Sequence, residues 1–460
     1  MTEGWLPGKE KEPRELQVQK FLARYQNEVM GLFDKESPER ELVQRLSEDH
    51  TQTLSREEER MLDDIIEQFE TKIFEFTKSE APADAKRVLV TSDNPGSWTA
   101  MGPLIAALDT DPRCKGVVAV VSGVAGKEFK KKFPRFNQVH DEKMVLEDAL
   151  TLANNEPIDV AIGSVSVQNG PEDLALFGGK GNLGAAQNYF VFEGYGGVGG
   201  AFKLGTAENM EKIDGIFCND AFAKAIIHKR LPDYPLEQIF VTGMLAADSF
   251  ELSKAEDYRT ETRATLGIAS ETFTALYLGD ASSDYDKTPG ENSRINIDTF
   301  EETMQGMREL AQDERAEPIA LIVRPHPRAG DKVEFMKNAL DEVVPENLSI
   351  KDGSGPVKFE GAIYASDVVM SINSNENIFA PVRGRRSIIL AYDGEKMGGP
   401  ALKEFYGDEL LKAMREIPGI YYATNPHELA EILKQISKEP LPEPTGTTAV
   451  TAGILDKVLA

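Results

Sequence analysis

Lys86-Arg-Val-Leu-Val-Thr-Ser-Asp-Asn-Pro-Gly-Ser97 is the stretch on which the fold turns. Arg87-Val-Leu-Val-Thr91 is a short β-branched run of the kind that a parallel sheet buries on both faces. Ser92–Ser97 supplies turn residues, and Met101, Leu104, Ile105 and Leu108 then recur at helical spacing. This strand–turn–helix unit repeats. Further strands are expected at Gly116–Val121, Ile158–Ile162, Tyr189–Phe192, Gly215–Cys218 and Ile239–Thr242, with a helical stretch from Leu146 to Leu152. The pattern restarts after about Ala247, with strands at Thr274–Leu278, Pro318–Val323, Asp367–Ile372, Ser387–Ala391 and Gly419–Tyr422 and a helix over Asp298–Leu310. Strands alternating with helices predict an α/β protein with two doubly wound, Rossmann-like units, joined near Pro235–Ala247. Ligands bind such folds in the crevice outside the carboxyl ends of the strands.

Outward from that core, residues 1–80 have a different texture. Leu16, Val18, Phe21, Leu22, Tyr25 and Val29 sit at helical spacing, and a second helix is expected from Ser55 to Thr77. Ser55-Arg-Glu-Glu58 has capping-box spacing, and Met61, Ile65, Ile66, Phe69, Ile73 and Phe74 form the stripe. The expected division is therefore a helical extension at 1–80, Rossmann-like domains at 81–245 and 246–445 and a crossover helix at 446–460. The N-terminal helices pack on the body or carry a homo-oligomer contact.

The 460 residues suit two domains plus an appendage, and 41% hydrophobic content is enough for packed interiors. A formal net charge of −26 disfavours nucleic acid and anionic membrane surfaces as partners. The first residues do not form a signal peptide, and no apolar run approaches the roughly 20 residues of a membrane span, which points to the cytoplasm. Cys114 and Cys218 lack the spacing of a disulfide framework or a zinc site.

Gly179-Lys-Gly-Asn-Leu-Gly184 and Gly194-Tyr-Gly-Gly-Val-Gly199 both match G-x-G-x-x-G. A dinucleotide site needs a long helix after the turn, and the next strand near Gly215 leaves little room for one. The reading is a loop at the cleft mouth that includes Gly196.

Three features of the second half stand together. In Leu321-Ile-Val-Arg-Pro-His-Pro-Arg328, prolines on both sides of His326 stop the strand, so Arg324, His326 and Arg328 gather at its carboxyl end. Arginine suits phosphate, and histidine suits proton transfer near neutral pH. In Ala365–Pro381 a strand runs into Asn373-Ser-Asn-Glu-Asn377, where a helix starts. Ser374, Asn375, Glu376 and Asn377 there are candidate phosphate-binding groups, with capping of the helix by Asn373 and Glu376 compatible with that role. The third feature is Gly384–Gly394, in which Arg385 or Arg386 either adds positive charge or caps a strand start.

The order of R-x-H-P, A-S-D-V-V at a strand, serine at a helix start and a G-R-x strand resembles the C-terminal half of GT-B enzymes. It is similar both to UDP-N-acetylglucosamine 2-epimerases and to CDP-glycerol glycerophosphotransferases. Ile239-Phe-Val-Thr-Gly243, Glu291-Asn292 and Ala380-Pro381 resemble epimerase elements, and Leu390-Ala-Tyr-Asp393 the glycerophosphotransferase pattern. The resemblance covers about residues 86–460 and places Asn94, Gly96 and Ser97 at the first strand-to-helix turn, on the acceptor side of the cleft. It implies a glycosyltransferase-like enzyme of surface-polysaccharide or glycan synthesis. Such an enzyme takes a nucleotide-activated sugar as substrate, with neither a metal nor a resident cofactor, and His326 acts on the leaving diphosphate. The alternatives are a sugar 2-epimerase, a glycerophosphotransferase and a non-catalytic binding subunit. The last is motivated by Phe379, which stands immediately before Ala380 where the resemblance puts a donor-binding acid.

Overall fold

The computed structural model describes residues 18, 38–48, 54–69, 71–92, 95–122, 125–142, 157–165, 187–192, 213–279, 294–313, 317–325, 338, 344–372, 374, 376–392, 412, 415–444 and 450–460. The expectations for His326, Arg328, Asn375, Asn94, Gly196, the paired glycine motifs and the Leu146–Leu152 helix lie outside the described residues.

Helix α1 (Pro38–Glu48) and helix α2 (Arg56–Phe69) lead into the first sheet. The capping box forms as the spacing requires: the Ser55 N–H donates to Glu58 Oε2 at 2.8 Å and the Glu58 N–H to Ser55 Oγ at 3.3 Å. These bonds, with Arg45, hold the Glu58 carboxyl down at about 2. The expected helix nevertheless stops at Phe69 and does not run to Thr77. Thr71–Thr77 is strand β1, lying antiparallel between β3 and β4 of the first sheet. Ile73, Phe74 and Phe76 are buried there, so the end of the apparent extension is sheet.

The first sheet holds β1, β2 (Lys86–Ser92), β3 (Cys114–Ser122), β4 (Asn137–Glu142), β5 (Val160–Val165), β6 (Gln187–Phe192), β7 (Gly215–Cys218) and β8 (Ile239–Val241), in the order β4-β1-β3-β2-β5-β6-β7-β8. From β3 to β8 every pairing is parallel. Helix α3 (Pro95–Thr110) follows β2 and buries Met101, Leu104, Ile105 and Leu108 against it, as the spacing predicts. Helix α4 (Ala125–Lys132) follows β3, and helix α5 (Ala221–Arg230) follows β7.

Single-turn helices at Leu245–Ser249 and Leu252–Lys254 lead to helix α6 (Ala255–Leu266) and the second sheet. Its strands are β9 (Phe273–Leu278), β10 (Ile319–Arg324), β11 (Leu348–Asp352), β12 (Val368–Ser371), β13 (Arg386–Leu390) and β14 (Ile420–Ala423). Every pairing is parallel and the order is β11-β10-β9-β12-β13-β14. Read in chain order this is 3-2-1-4-5-6, the arrangement of dinucleotide-binding sheets. Helices α7 (Arg294–Ala311), α8 (Phe359–Ala365) and α9 (Glu376–Val382) lie between the strands, and α10 (Pro426–Ile436) follows β14. The last helix, α11 (Val450–Val458), returns to the first sheet, where Val450, Ile454, Leu455 and Val458 join its core.

An aspartate before a strand fastens the neighbouring strand at three places. At the amino end of a parallel ladder the first N–H has no strand partner and must find another acceptor. Asp159 Oδ2 accepts the Arg87 N–H at 2.7 Å while the Asp159 N–H donates to Arg87 O at 3.0 Å. Asp367 treats Thr274 the same way, at 2.7 Å in both directions, and Asp214 treats Asn188 at 2.7 and 2.8 Å. Asp159 and Asp367 occupy the two positions where strand order reverses, β2–β5 and β9–β12.

Asp367 is the more heavily engaged. Arg259 donates to Oδ1 at 2.8 Å and Arg263 to Oδ2 at 3.2 Å, from one face of α6. Both arginines also donate to carbonyls around the end of α8, including Ala365 O. Asp367→Ala leaves the buried Arg263 without its counter-charge and Thr274 without an acceptor, so a loss of about 3–5 kcal/mol is expected in urea denaturation. Asp159 is 37% exposed, and Asp159→Ala should cost about 1 kcal/mol. Equal losses for the two variants would contradict this ranking.

Candidate functional site

Doubly wound sheets bind ligands outside the carboxyl ends of the strands beside the reversal of strand order, which here are the ends of β10, β9 and β12. The chain leaves β10 at Arg324, whose carbonyl accepts from the Gly279 N–H at 2.9 Å and so ties the exits of β10 and β9 together. The Arg324 guanidinium donates to Gly353 O and, at 2.9 Å, to Val357 O. It lies 5.5 Å from the centre of the Phe359 ring. Burial lowers its pKa from the ordinary arginine value. Arg324 therefore stands at the rim and also holds the connection between β11 and α8.

The exit of β12 is organised by serine hydroxyls. The Ser374 N–H donates to Ser371 Oγ at 3.1 Å, and Ser374 Oγ accepts the Glu376 N–H at 3.2 Å. The Asn377 N–H donates to Ser374 O at 2.9 Å. Ser374 thus caps the first turn of α9 and stays half-buried at the rim. Asn373, expected as the cap, lies outside the described residues.

The next two candidates turn inward. Asn377 is buried, its Nδ2 donating to Ser371 O at 3.4 Å and its Oδ1 accepting from Ser387 Oγ at 3.1 Å. Its side chain stitches α9 to β12 and β13. Glu376 is buried and accepts a hydrogen bond from Arg383 within a closed ion pair. The Arg383 guanidinium lies 3.9 Å from the centre of the Phe250 ring, and that ring meets Phe379 at 5.6 Å and 60°. Burial pushes the Glu376 carboxyl up to about 7, with Arg383 opposing and Glu360 adding to the rise.

Phe379 occupies the position at which the GT-B resemblance expects an acid, and the structure gives it a different task. Ile378 joins the buried cluster of the first sheet that includes Cys218, Met244, Ala246 and Ala247, and Phe250, Phe379 and Val382 pack around it. Helix α9 therefore carries the contact between the two α/β units on one flank and the rim of the crevice at its start.

Arg385 and Arg386 cap backbone. Arg385 donates to Gly384 O and Tyr364 O at 2.8 and 3.0 Å, and Arg386 to Pro440 O at 2.6 Å and Glu439 at 3.2 Å. Gly384 between them and Arg383 has φ +70°, and a Cβ there would come 2.9 Å from Pro442 O. On the first sheet, Gly96 and Ser97 fall in the opening turn of α3, directly after β2. Neither Phe250 nor the Arg259–Arg263 pair stands out in the sequence. The arginine pair carried a faint signal, two cations four residues apart facing an acid at the start of a strand.

Solved structures of UDP-GlcNAc 2-epimerases share this architecture. UDP-GlcNAc 2-epimerase from Neisseria meningitidis, bound to UDP-GlcNAc, aligns at TM-score 0.54 and 10% identity over 81% of this chain and 99% of its own. The UDP-GlcNAc 2-epimerase from Methanocaldococcus jannaschii aligns at 0.53 and 14%, over 81% and 98%. The wall teichoic acid polymerase TagF aligns over 97% of this chain and 98% of its own, at 13% identity and a TM-score of 0.41, a weaker likeness that adds nothing to the fold assignment. No protein-family model and no curated protein matches the chain. At these identities the likeness is one of fold, and the chain has the GT-B-like, two-unit architecture of the epimerases. Among the described residues no helix is long and apolar enough to cross a membrane.

A carboxyl whose pKa is raised by folding stabilises the protein below its ordinary range and loses that contribution as pH rises through the folded value. Glu376→Gln mimics the protonated form. Its stability relative to the wild type should therefore improve by about 3 kcal/mol as pH goes from 4.5 to about 7, then level off. Urea denaturation at five pH values checks this, and a difference independent of pH would contradict it.

Proposed function

We propose that this chain is a GT-B-type enzyme acting on a nucleotide-activated sugar in cell-surface glycan synthesis, with the nucleotide diphosphate held at the second sheet. The observation that carries the reading is the 3-2-1-4-5-6 parallel order, whose reversal between β9 and β12 has Arg324 and Ser374 at its rim. A crevice there is lined by strand exits, where backbone N–H groups and a guanidinium meet an anion at little cost in reorganisation. The solved structures of this fold bound to UDP-GlcNAc and to UDP support the same class of ligand.

In this reading Arg324 and Ser374 bind or orient the diphosphate, Arg328 and Asn375 are further phosphate-binding residues, and His326 transfers the proton that the departing diphosphate requires. The residues after β2, Asn94, Gly96 and Ser97, face the acceptor. Glu376 and Asn377 act on the ligand indirectly, by fixing the turn that carries Ser374. A second reading, a binding subunit that turns nothing over, is favoured by one observation: Phe379 is committed to packing at the position of the donor-binding acid.

A thermal-shift panel of UDP-, CDP- and GDP-linked sugars and glycerol tests the proposal. A ligand at 100 times its dissociation constant stabilises by about 2.7 kcal/mol, and at least one member should raise Tm accordingly. No shift with any member overturns the nucleotide reading. A shift without turnover selects the binding subunit. Where turnover is found, His326→Ala should lower kcat at least about 100-fold while leaving the nucleotide-induced shift in place.

A further inference from the structure

Asn219 is a polar side chain that the fold does not use. It follows β7 directly and precedes Asp220, whose Oδ1 accepts the Ala223 N–H at 2.7 Å and caps α5. Only 9% of Asn219 is exposed, yet neither its amide nitrogen nor its amide oxygen has a hydrogen-bond partner. An amide brings two donors and an acceptor, and leaving all of them buried and unmade costs free energy that Asn377, bonded at both ends, avoids. Such a group is explained by a ligand or an ordered water that completes it.

Its position selects between these. Asn219 lies at a strand's carboxyl end, where doubly wound sheets bind ligands, and directly before the cap of a ten-residue helix. Cys218, one residue earlier, belongs to the same buried cluster as Ile378 of α9. Cys218 is not a competing nucleophile: burial pushes its thiol up to about 12.

We infer that Asn219 is a recognition residue of the first unit, whose amide reads hydroxyl groups on the polyol part of the nucleotide-linked substrate, donating to one oxygen and accepting from a neighbouring O–H. This deepens the proposed function and rests on it: the diphosphate binds at the second sheet, and the sugar or glycerol it carries reaches across the seam to β7. An amide suits that task because vicinal hydroxyls present donor and acceptor side by side, matching its two ends.

Isothermal titration of the full chain compares UDP-N-acetylglucosamine, CDP-glycerol and GDP-mannose, each against its parent diphosphate. In the wild type one conjugate should bind more tightly than its diphosphate. Asn219→Ala should remove about tenfold or more of that advantage and leave the affinity for the diphosphate unchanged. If the wild type shows the advantage and Asn219→Ala keeps it, the inference falls and the nucleotide reading stands. If the wild type binds no conjugate and no diphosphate, both fall together.

Urea denaturation of ligand-free Asn219→Leu supplies an independent check. An unpartnered amide replaced by an apolar side chain of similar size should leave the midpoint unchanged or raised. A lowered midpoint would mean that the amide is bonded within the fold, and would overturn the inference whatever the titrations show.

Discussion

The contact on which the architecture depends is the pair of hydrogen bonds between Asp367 and Thr274. Strands β9 and β12 are far apart in sequence and pair over only three residues. Nothing about chain connectivity brings them together, since the strand before β12 in sequence, β11, lies at the far edge. The aspartate makes the junction specific by giving the backbone of Thr274 both a donor and an acceptor, and two arginines from α6 neutralise its charge. In sheets of this order a crevice opens where neighbouring strands send their connections in opposite directions, and β9 and β12 are that pair. A group at the amino end of the strands thereby decides the geometry at their carboxyl end. Asp159 plays the corresponding part in the first sheet with fewer supports.

Helix α9 reconciles two demands in seven residues. Its first turn must present a polar rim, and its outer flank must seal an apolar seam. Glu376 and Arg383 lie at its two ends and close a buried ion pair along it, and Phe250 covers the guanidinium from the linker side. Burying two charges is expensive unless they meet each other, so the pair specifies one orientation of the helix more than it adds stability. Phe379 follows from the same demand, because an acid on that flank would face Phe250 and the first-sheet cluster.

Much of the fold was legible because parallel strands buried on both faces read as unbroken apolar runs, as in Gly116–Val121 and Ile319–Val323. The strands that escaped notice were of two kinds. β4 and β11 lie at sheet edges and carry Asn137, Gln138, Ser349, Lys351 and Asp352, so neither shows a run. β1 has Ile73, Phe74 and Phe76 at spacings that also continue the stripe of α2, and a seven-residue stretch is too short for period to separate helix from strand. The site was legible as a list of residues but not as directions. Ser374 and Asn377 belong to one polar turn, and only the register of β12 and β13 decides that Asn377 faces inward. Asn219 carried no signal in sequence, for an asparagine before a capping aspartate reads as ordinary turn chemistry.

The return of α11 to the first sheet has a consequence for synthesis on the ribosome. Lys86, at the start of β2, donates to Val458 O at 3.2 Å and to Ala460 O at 2.6 Å, closing a contact across 374 residues of chain. Arg113 meets Asp456 at 2.9 Å, and the Thr451 N–H reaches Asp248 at 2.7 Å. The core of the first unit is finished by a segment that follows the second unit in the chain. Domains otherwise fold in the order of their appearance, N-terminal first. Here the first sheet waits, with the surface that will receive Val450, Ile454 and Val458 uncovered, until the second unit has been made.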